Sequence, residues 1–159
     1  MSYSPKSIAN YFLDLAHAQG EAIDPMKLQK LVYYAQGWYA GYTGEQLIND
    51  TVQAWPYGPV IPSLYHEFKR FGSAPIHGRA MEWGREVERP EDPQLRGFLD
   101  NIWNSYGQYS GLRLSDMTHA PDGPWDLTRR QSRGGSPPIP FEVIRDHFRE
   151  ATSKAQDAQ

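Results

Sequence analysis

The sequence predicts a mainly α fold, a compact single-domain bundle of about five to seven helices with a short β-strand pair or hairpin. Three observations predict it. Ser4-Pro5, Asp24-Pro25 and Asp92-Pro93 each place a capping residue before a proline, a pairing that opens helices because the first helical position needs no N–H. Apolar residues then return at helical spacing. Only residues 51–55 alternate in the manner of a strand.

After Ser4-Pro5, the side chains Ile8, Phe12, Leu15 and Ala16 share one face, and Gly20 ends the helix. Asp24-Pro25 opens a second helix in which Leu28, Leu31, Val32, Ala35 and Tyr39 form a stripe that Trp38 widens. Burying five or six such side chains contributes on the order of 10 kcal/mol before entropy is subtracted. Gly41 and Gly44 mark the exit. Residues 51–55 read as a strand, and Pro56-Tyr57-Gly58-Pro59 reads as a sharp break, because neither proline can donate to a ladder. Pro62 starts a helix with Ile61, Leu64, Tyr65, Phe68 and Phe71 inward, stopped by Gly72. A partner for the strand is expected around residues 76–83.

From Asp92-Pro93, the residues Leu95, Phe98, Leu99, Ile102, Trp103 and Tyr106 fit the helical template. Residues 112–119 read as a short helix entered through Ser115 as cap, followed by a turn at Pro121-Asp122-Gly123-Pro124 with Trp125 just after it. Residues 129–140 (RRQSRGGSPPIP) read as a mobile loop, and Pro140 opens a last helix with Phe141, Ile144 and Phe148 inward. Residues 151–159 hold no large apolar side chain and are expected to fray.

Composition narrows the function. A chain of 159 residues suits one domain with a core of its own. There is no cysteine, so disulfides and thiolate chemistry are excluded and a reducing cytoplasm is the expected compartment. No apolar run approaches the roughly 20 residues a membrane helix needs, and MSYSPKSIANYF is not expected to be a secretory leader. The net charge of −3 lacks the basic footprint of a nucleic-acid binder.

No catalytic constellation emerges. His17, His66, His77, His119 and His147 stand in no tight ligand spacing, so no metal or cofactor is expected. Ser115 and His119 are four apart, yet no G-x-S-x-G elbow accompanies them. They read as a cap and as a histidine that tethers the Trp125 turn by hydrogen bonds. The acids Glu82, Glu86, Glu88, Glu91 and Asp92 are interleaved with Arg85 and Arg89, the pattern of a solvated face. The first two helices superficially suit a helix-turn-helix, but Lys27 and Lys30 are few cations for DNA and the second helix is too apolar for a recognition helix. A recognition domain is expected, not an enzyme.

KLQKLVYYAQGWY, AWPYGPVIPSLYHEFKRFG and LSDMTHAPDGPW, in that order, resemble the Panacea domain of SocA-like antitoxins and phage-associated GepA-type proteins. The resemblance runs from about Ile8 to Phe148, and residues 1–150 are taken as the domain. The positions that carry it are Lys30, Leu31, Tyr34 and Trp38; Ala54, Trp55, Gly58, Pro59, Val60 and Tyr65; and Leu114, Ser115, Thr118, His119, Pro124 and Trp125. One departure is conservative: the family's Leu-Leu-Tyr-Tyr is Leu31-Val32-Tyr33-Tyr34 here. The resemblance implies a helical domain encoded beside a toxin gene in bacteria or prophages, and it assigns these positions no catalytic role. It implies an antitoxin that neutralises its cognate toxin by direct contact. Alternatives are an adaptor that delivers a partner toxin to a ClpXP-type protease and a DNA-binding regulator. Tyr42, Tyr57, Arg129, Arg130 and Arg133 are the candidate partner contacts, since aromatics and arginines dominate interface energetics. Toxin class and oligomeric state are left open by the sequence.

Overall fold

The helix start signals act where they stand. In a computed structural model describing residues 2–157, Ser4 Oγ accepts from Lys6 N at 3.2 Å to cap α1 (Pro5–Ala18). Asp24 Oδ1 accepts from Lys27 N at 2.8 Å to cap α2 (Pro25–Thr43), and Asp92 Oδ1 accepts from Gln94 N at 3.0 Å to cap α4 (Pro93–Tyr106). Between them lie a hairpin of β1 (Gln53–Trp55) and β2 (Gly58–Val60), then α3 (Pro62–Phe68) with a 3-10 turn over Lys69–Phe71. A second hairpin pairs β3 (Met81–Glu82) with β4 (Arg85–Glu86). The chain then runs through α4, α5 (Gly111–Thr118), α6 (Pro124–Gln131) and α7 (Phe141–Asp157). The described residues therefore hold seven α-helices and two small antiparallel strand pairs.

α2 is the axis of the bundle. α1, α3, α4, α5, α7 and β2 all pack against it, which is why almost every residue from Lys27 to Gly41 is buried and the helix has no polar face. α7 approaches it most closely because Gly37 and Gly41 leave a notch. A Cβ at Gly37 would sit 2.3 Å from Phe148 Cε2, and one at Gly41 would sit 2.8 Å from the Phe148 backbone. Phe148 meets Tyr33, Tyr34 and Trp38 edge-on, and Tyr34 stacks on Tyr106 at 4.2 Å.

Three buried amides tie loops to helices. Gln29 donates to Ile61 O at 3.0 Å and accepts from Ile61 N at 2.8 Å. Gln36 Oε1 accepts from the backbones of Leu47 and Ile48, at 2.7 and 3.1 Å. Asn10 holds Ala80 in both directions and Val87 O as well. Each amide substitutes for a missing strand partner, so polar backbone enters the core without orphaned groups.

Several expectations are corrected here. Gly58-Pro59 does not break the strand but forms β2, and the turn is only Pro56-Tyr57. The proline is tolerated because Ala54 N bonds Pro137 O at 2.8 Å, away from Pro59. Pro59 therefore sits at a pair that needs no N–H from it. The partner of β1 is thus β2, not residues 76–83. Residues 129–140 are no loose loop. Arg129 and Arg130 belong to α6, Pro138 bridges Gln53, and Ile139 N bonds Val52 O at 2.7 Å with its side chain buried. Ser110, not Ser115, caps α5. Tyr65 is not an inner residue of α3 but 40% exposed. The last helix continues through residues 151–157, where fraying was expected from Ala151, while residues 158–159 lie outside those described.

Candidate functional site

The β1–β2 hairpin is held by side chains from three helices, each donating to one of its carbonyls. Arg129 Nη1 donates to Ala54 O at 3.0 Å, and Trp125 Nε1 donates to Trp55 O at 2.6 Å. Ser115 Oγ donates to Tyr57 O. Lys30 Nζ donates to Pro59 O at 3.2 Å. A short two-stranded ribbon is marginal by itself, and such bracing makes it rigid.

Gly58 is required where it stands. Its φ is +126°, and an added Cβ would lie 2.9 Å from Lys30 Cε and 3.0 Å from Thr118 Oγ1. Thr118 is itself pinned, donating to Ser115 O at 2.6 Å. Below the hairpin, the His119 ring stacks on Trp125 at 4.0 Å and 15°, with the Arg129 guanidinium 5.9 Å from the same indole. His119 therefore secures the Trp125 turn by stacking, not by the expected hydrogen bonds, and its Nε2 is buried without a partner. Ser115 gives its proton to a carbonyl, so the pair is not arranged as nucleophile and base.

The hairpin presents aromatic surface. Tyr57, at the turn, is 74% exposed. Trp55 leans on Tyr65 with ring centroids 4.7 Å apart. Between this hairpin, the start of α2 and α3 lies a groove of about 500 Å³, lined by Pro25, Met26, Gln29, Lys30, Trp55, Pro56, Tyr57, Val60, Leu64, Tyr65, Lys69 and Gly72. The Lys30 side chain at its floor is almost wholly buried. Desolvation pushes its ammonium down from 10.5 to about 8. No carboxylate pairs with it among the described residues.

Of the motif positions, Lys30, Ala54, Trp55, Gly58, Pro59, Ser115, Thr118, His119 and Trp125 come together at this hairpin. Val60 closes β2 with its side chain buried, Leu114 is buried in α5, and Pro124 is the first residue of α6. Leu31, Tyr34 and Trp38 lie in the core around α2 and α7. The candidate contacts do not form one patch. Tyr42, 62% exposed, stacks on Trp38 near the far end of α2, about 18 Å along the helix from Lys30. Arg129 is committed to the hairpin, and Arg130 pairs with Asp122 at 2.6 Å and Asp126 at 3.2 Å. Arg133 is exposed. Sequence reasoning missed Gln29, Met26 and Lys69 as neighbours of the groove, and no local pattern would have marked them. It also passed over Trp83, 97% exposed at the tip of the β3–β4 hairpin with φ of +53°.

Among the described residues no group of histidines and acids could hold a metal ion, and no helix is long and apolar enough to cross a membrane. The family described as "Antitoxin SocA-like, Panacea domain" matches residues 28–126. "Antitoxin SocA" of Caulobacter vibrioides (strain NA1000 / CB15N) is 32% identical over 157 residues, covering 93% of this chain and 84% of that protein. No solved structure matches.

Proposed function

The chain belongs to the SocA-like, Panacea-domain antitoxin family, and on that premise we propose that it neutralises a cognate toxin, encoded by an adjacent gene, by direct protein–protein contact. The likeness to an antitoxin across 93% of the chain carries this reading. The braced hairpin supplies a surface for it. Tyr57, Trp55 and Tyr65 stand on a rigid support, so little conformational entropy is lost when a partner covers them. Inhibition then works by occlusion of the toxin's active or target-binding face. Tyr42 and Arg133 are further contacts on this reading, with Arg129 and Arg130 acting by shaping the surface. Residues 1–150 form the domain, and the cytoplasm is its place of action.

Catalysis is not part of the proposal, since Ser115 and His119, the best pair the sequence offered, are spent on holding the hairpin. DNA recognition through α2 is disfavoured because neighbouring elements enclose that helix on all sides. The adaptor reading needs a second surface, and the exposed Trp83 hairpin, resting on Asn10 and Glu67, is the one to examine for a ClpXP-type protease.

Co-expression with the neighbouring gene product tests the main reading. The product should stop growth alone and be harmless beside this chain, and Tyr57→Ala should weaken rescue without lowering the melting temperature. A product that is innocuous alone, or still lethal beside this chain, removes the antitoxin assignment. A partner half-life unchanged by this chain removes the adaptor.

A further inference from the structure

The groove beside the hairpin has walls of one character and charges of one sign. Trp55, Val60, Leu64 and Tyr65 supply apolar surface, while its charged side chains among the described residues, Lys30 and Lys69, are both cationic. Among the described residues no Asp or Glu lines it. The floor lysine is 2% exposed, and its ammonium donates to Pro59 O at 3.2 Å. A buried cation without an acid is costly, and a carboxylate arriving from outside relieves that cost. The groove's volume of about 500 Å³ falls within the range of roughly 300–1,000 Å³ typical of built binding sites. It runs from the first turn of α2 to Gly72, just past the 3-10 turn that follows α3, a trough along which a chain can pass.

We propose that this groove takes a through-running peptide segment of a partner protein, whose Asp or Glu side chain pairs with the exposed Lys69 over the buried charge of Lys30 while an adjacent apolar side chain packs against Trp55 and Tyr65. The proposal deepens the toxin-binding reading and rests on it for the partner being a protein. A net charge of −3 and only two cations in the trough favour an acidic peptide over a nucleic acid.

The test pans random peptides, displayed on phage within a coat-protein loop so that no free C-terminus exists, against the full chain. The selected peptide is then titrated by fluorescence polarisation. Selected sequences should share an Asp or Glu within two residues of an aromatic or aliphatic side chain. Replacing that acid by its amide should weaken binding by about tenfold or more. Lys69→Gln, Tyr65→Ser and Lys30→Met should each weaken it severalfold. Should Lys30→Met not fold, Lys69→Gln, on an exposed side chain, carries the charge test. No enrichment, an acid-free consensus, binding indifferent to the amide and to Lys69→Gln, or displacement of the peptide by oligothymidylate would each overturn the proposal. No toxin enters this experiment, so a negative result here leaves growth rescue to stand or fall alone, and a failed rescue leaves the titration intact.

Discussion

Replacing Lys30 by Met should alter how stability depends on pH, in a direction that follows from where the ammonium sits. Burial lowers its pKa from 10.5 to about 8. Between those values the unfolded chain binds more protons than the folded one, so wild-type stability rises as pH climbs from about 8 towards 10.5. Below about pH 8 the penalty is fully present. It amounts to about 3 kcal/mol at pH 7 and about 1.5 kcal/mol at pH 9.5. Methionine fills similar volume and abolishes the titration, but it leaves Pro59 O without its donor at 3.2 Å, which costs about 1–3 kcal/mol. At pH 7 the variant should thus equal the wild type or exceed it by up to about 2 kcal/mol. By pH 9.5 the comparison should move about 1.5–2 kcal/mol in favour of the wild type. Urea unfolding of both proteins at the two pH values, followed by tryptophan fluorescence, measures this. Taking the difference between the proteins cancels other groups, including Tyr33 and Tyr34, which burial pushes upward in both. A difference that stays the same from pH 7 to pH 9.5 would refute the argument that a charged lysine is buried here.

Three further outcomes are expected. Gly37→Ala should destabilise by about 2–3 kcal/mol or more, because its methyl meets the Phe148 ring at 2.3–2.6 Å and the α2–α7 contact must open; melting temperature reads this, and an unchanged value would contradict the packing. Gln29→Leu should cost about 1–3 kcal/mol by stranding the Ile61 N–H, which donates to the amide at 2.8 Å, whereas Ile61 O keeps the Leu64 and Tyr65 N–H groups of α3, and hydrogen exchange at Ile61 should accelerate. Trp83→Asn should raise stability by up to about 1 kcal/mol, since a fully exposed indole contributes no packing and asparagine tolerates the left-handed backbone; a loss of stability on chemical denaturation would mean that the indole is packed after all.

The helices were legible because their signals are local. Ser4-Pro5, Asp24-Pro25 and Asp92-Pro93 act on N–H groups two or three residues away, and the stripe from Leu95 to Tyr106 is one face of one helix. The hairpin was misread for the opposite reason. Whether Pro59 breaks a ladder depends on which residue faces it, and that residue, Ala54, turns its N–H to Pro137 more than seventy positions on. The same distance hid α6, whose Trp125 and Arg129 find their acceptors in β1. Ser115 looked like a cap from its neighbours alone, and only the position of Tyr57 O shows otherwise.

What the residues specify on their own is a helical chain without cysteine, close to neutral, whose motifs place it among SocA-like antitoxins. Folding alone decides that those motifs meet, that Lys30 is carried beneath Gly58, and that Tyr57 is thrust into solvent above a cationic trough. Capping and amphipathic spacing act within a few residues. The bracing of the hairpin and the desolvation of a lysine depend on which surfaces the closed chain brings together, and sequence separation says nothing of that.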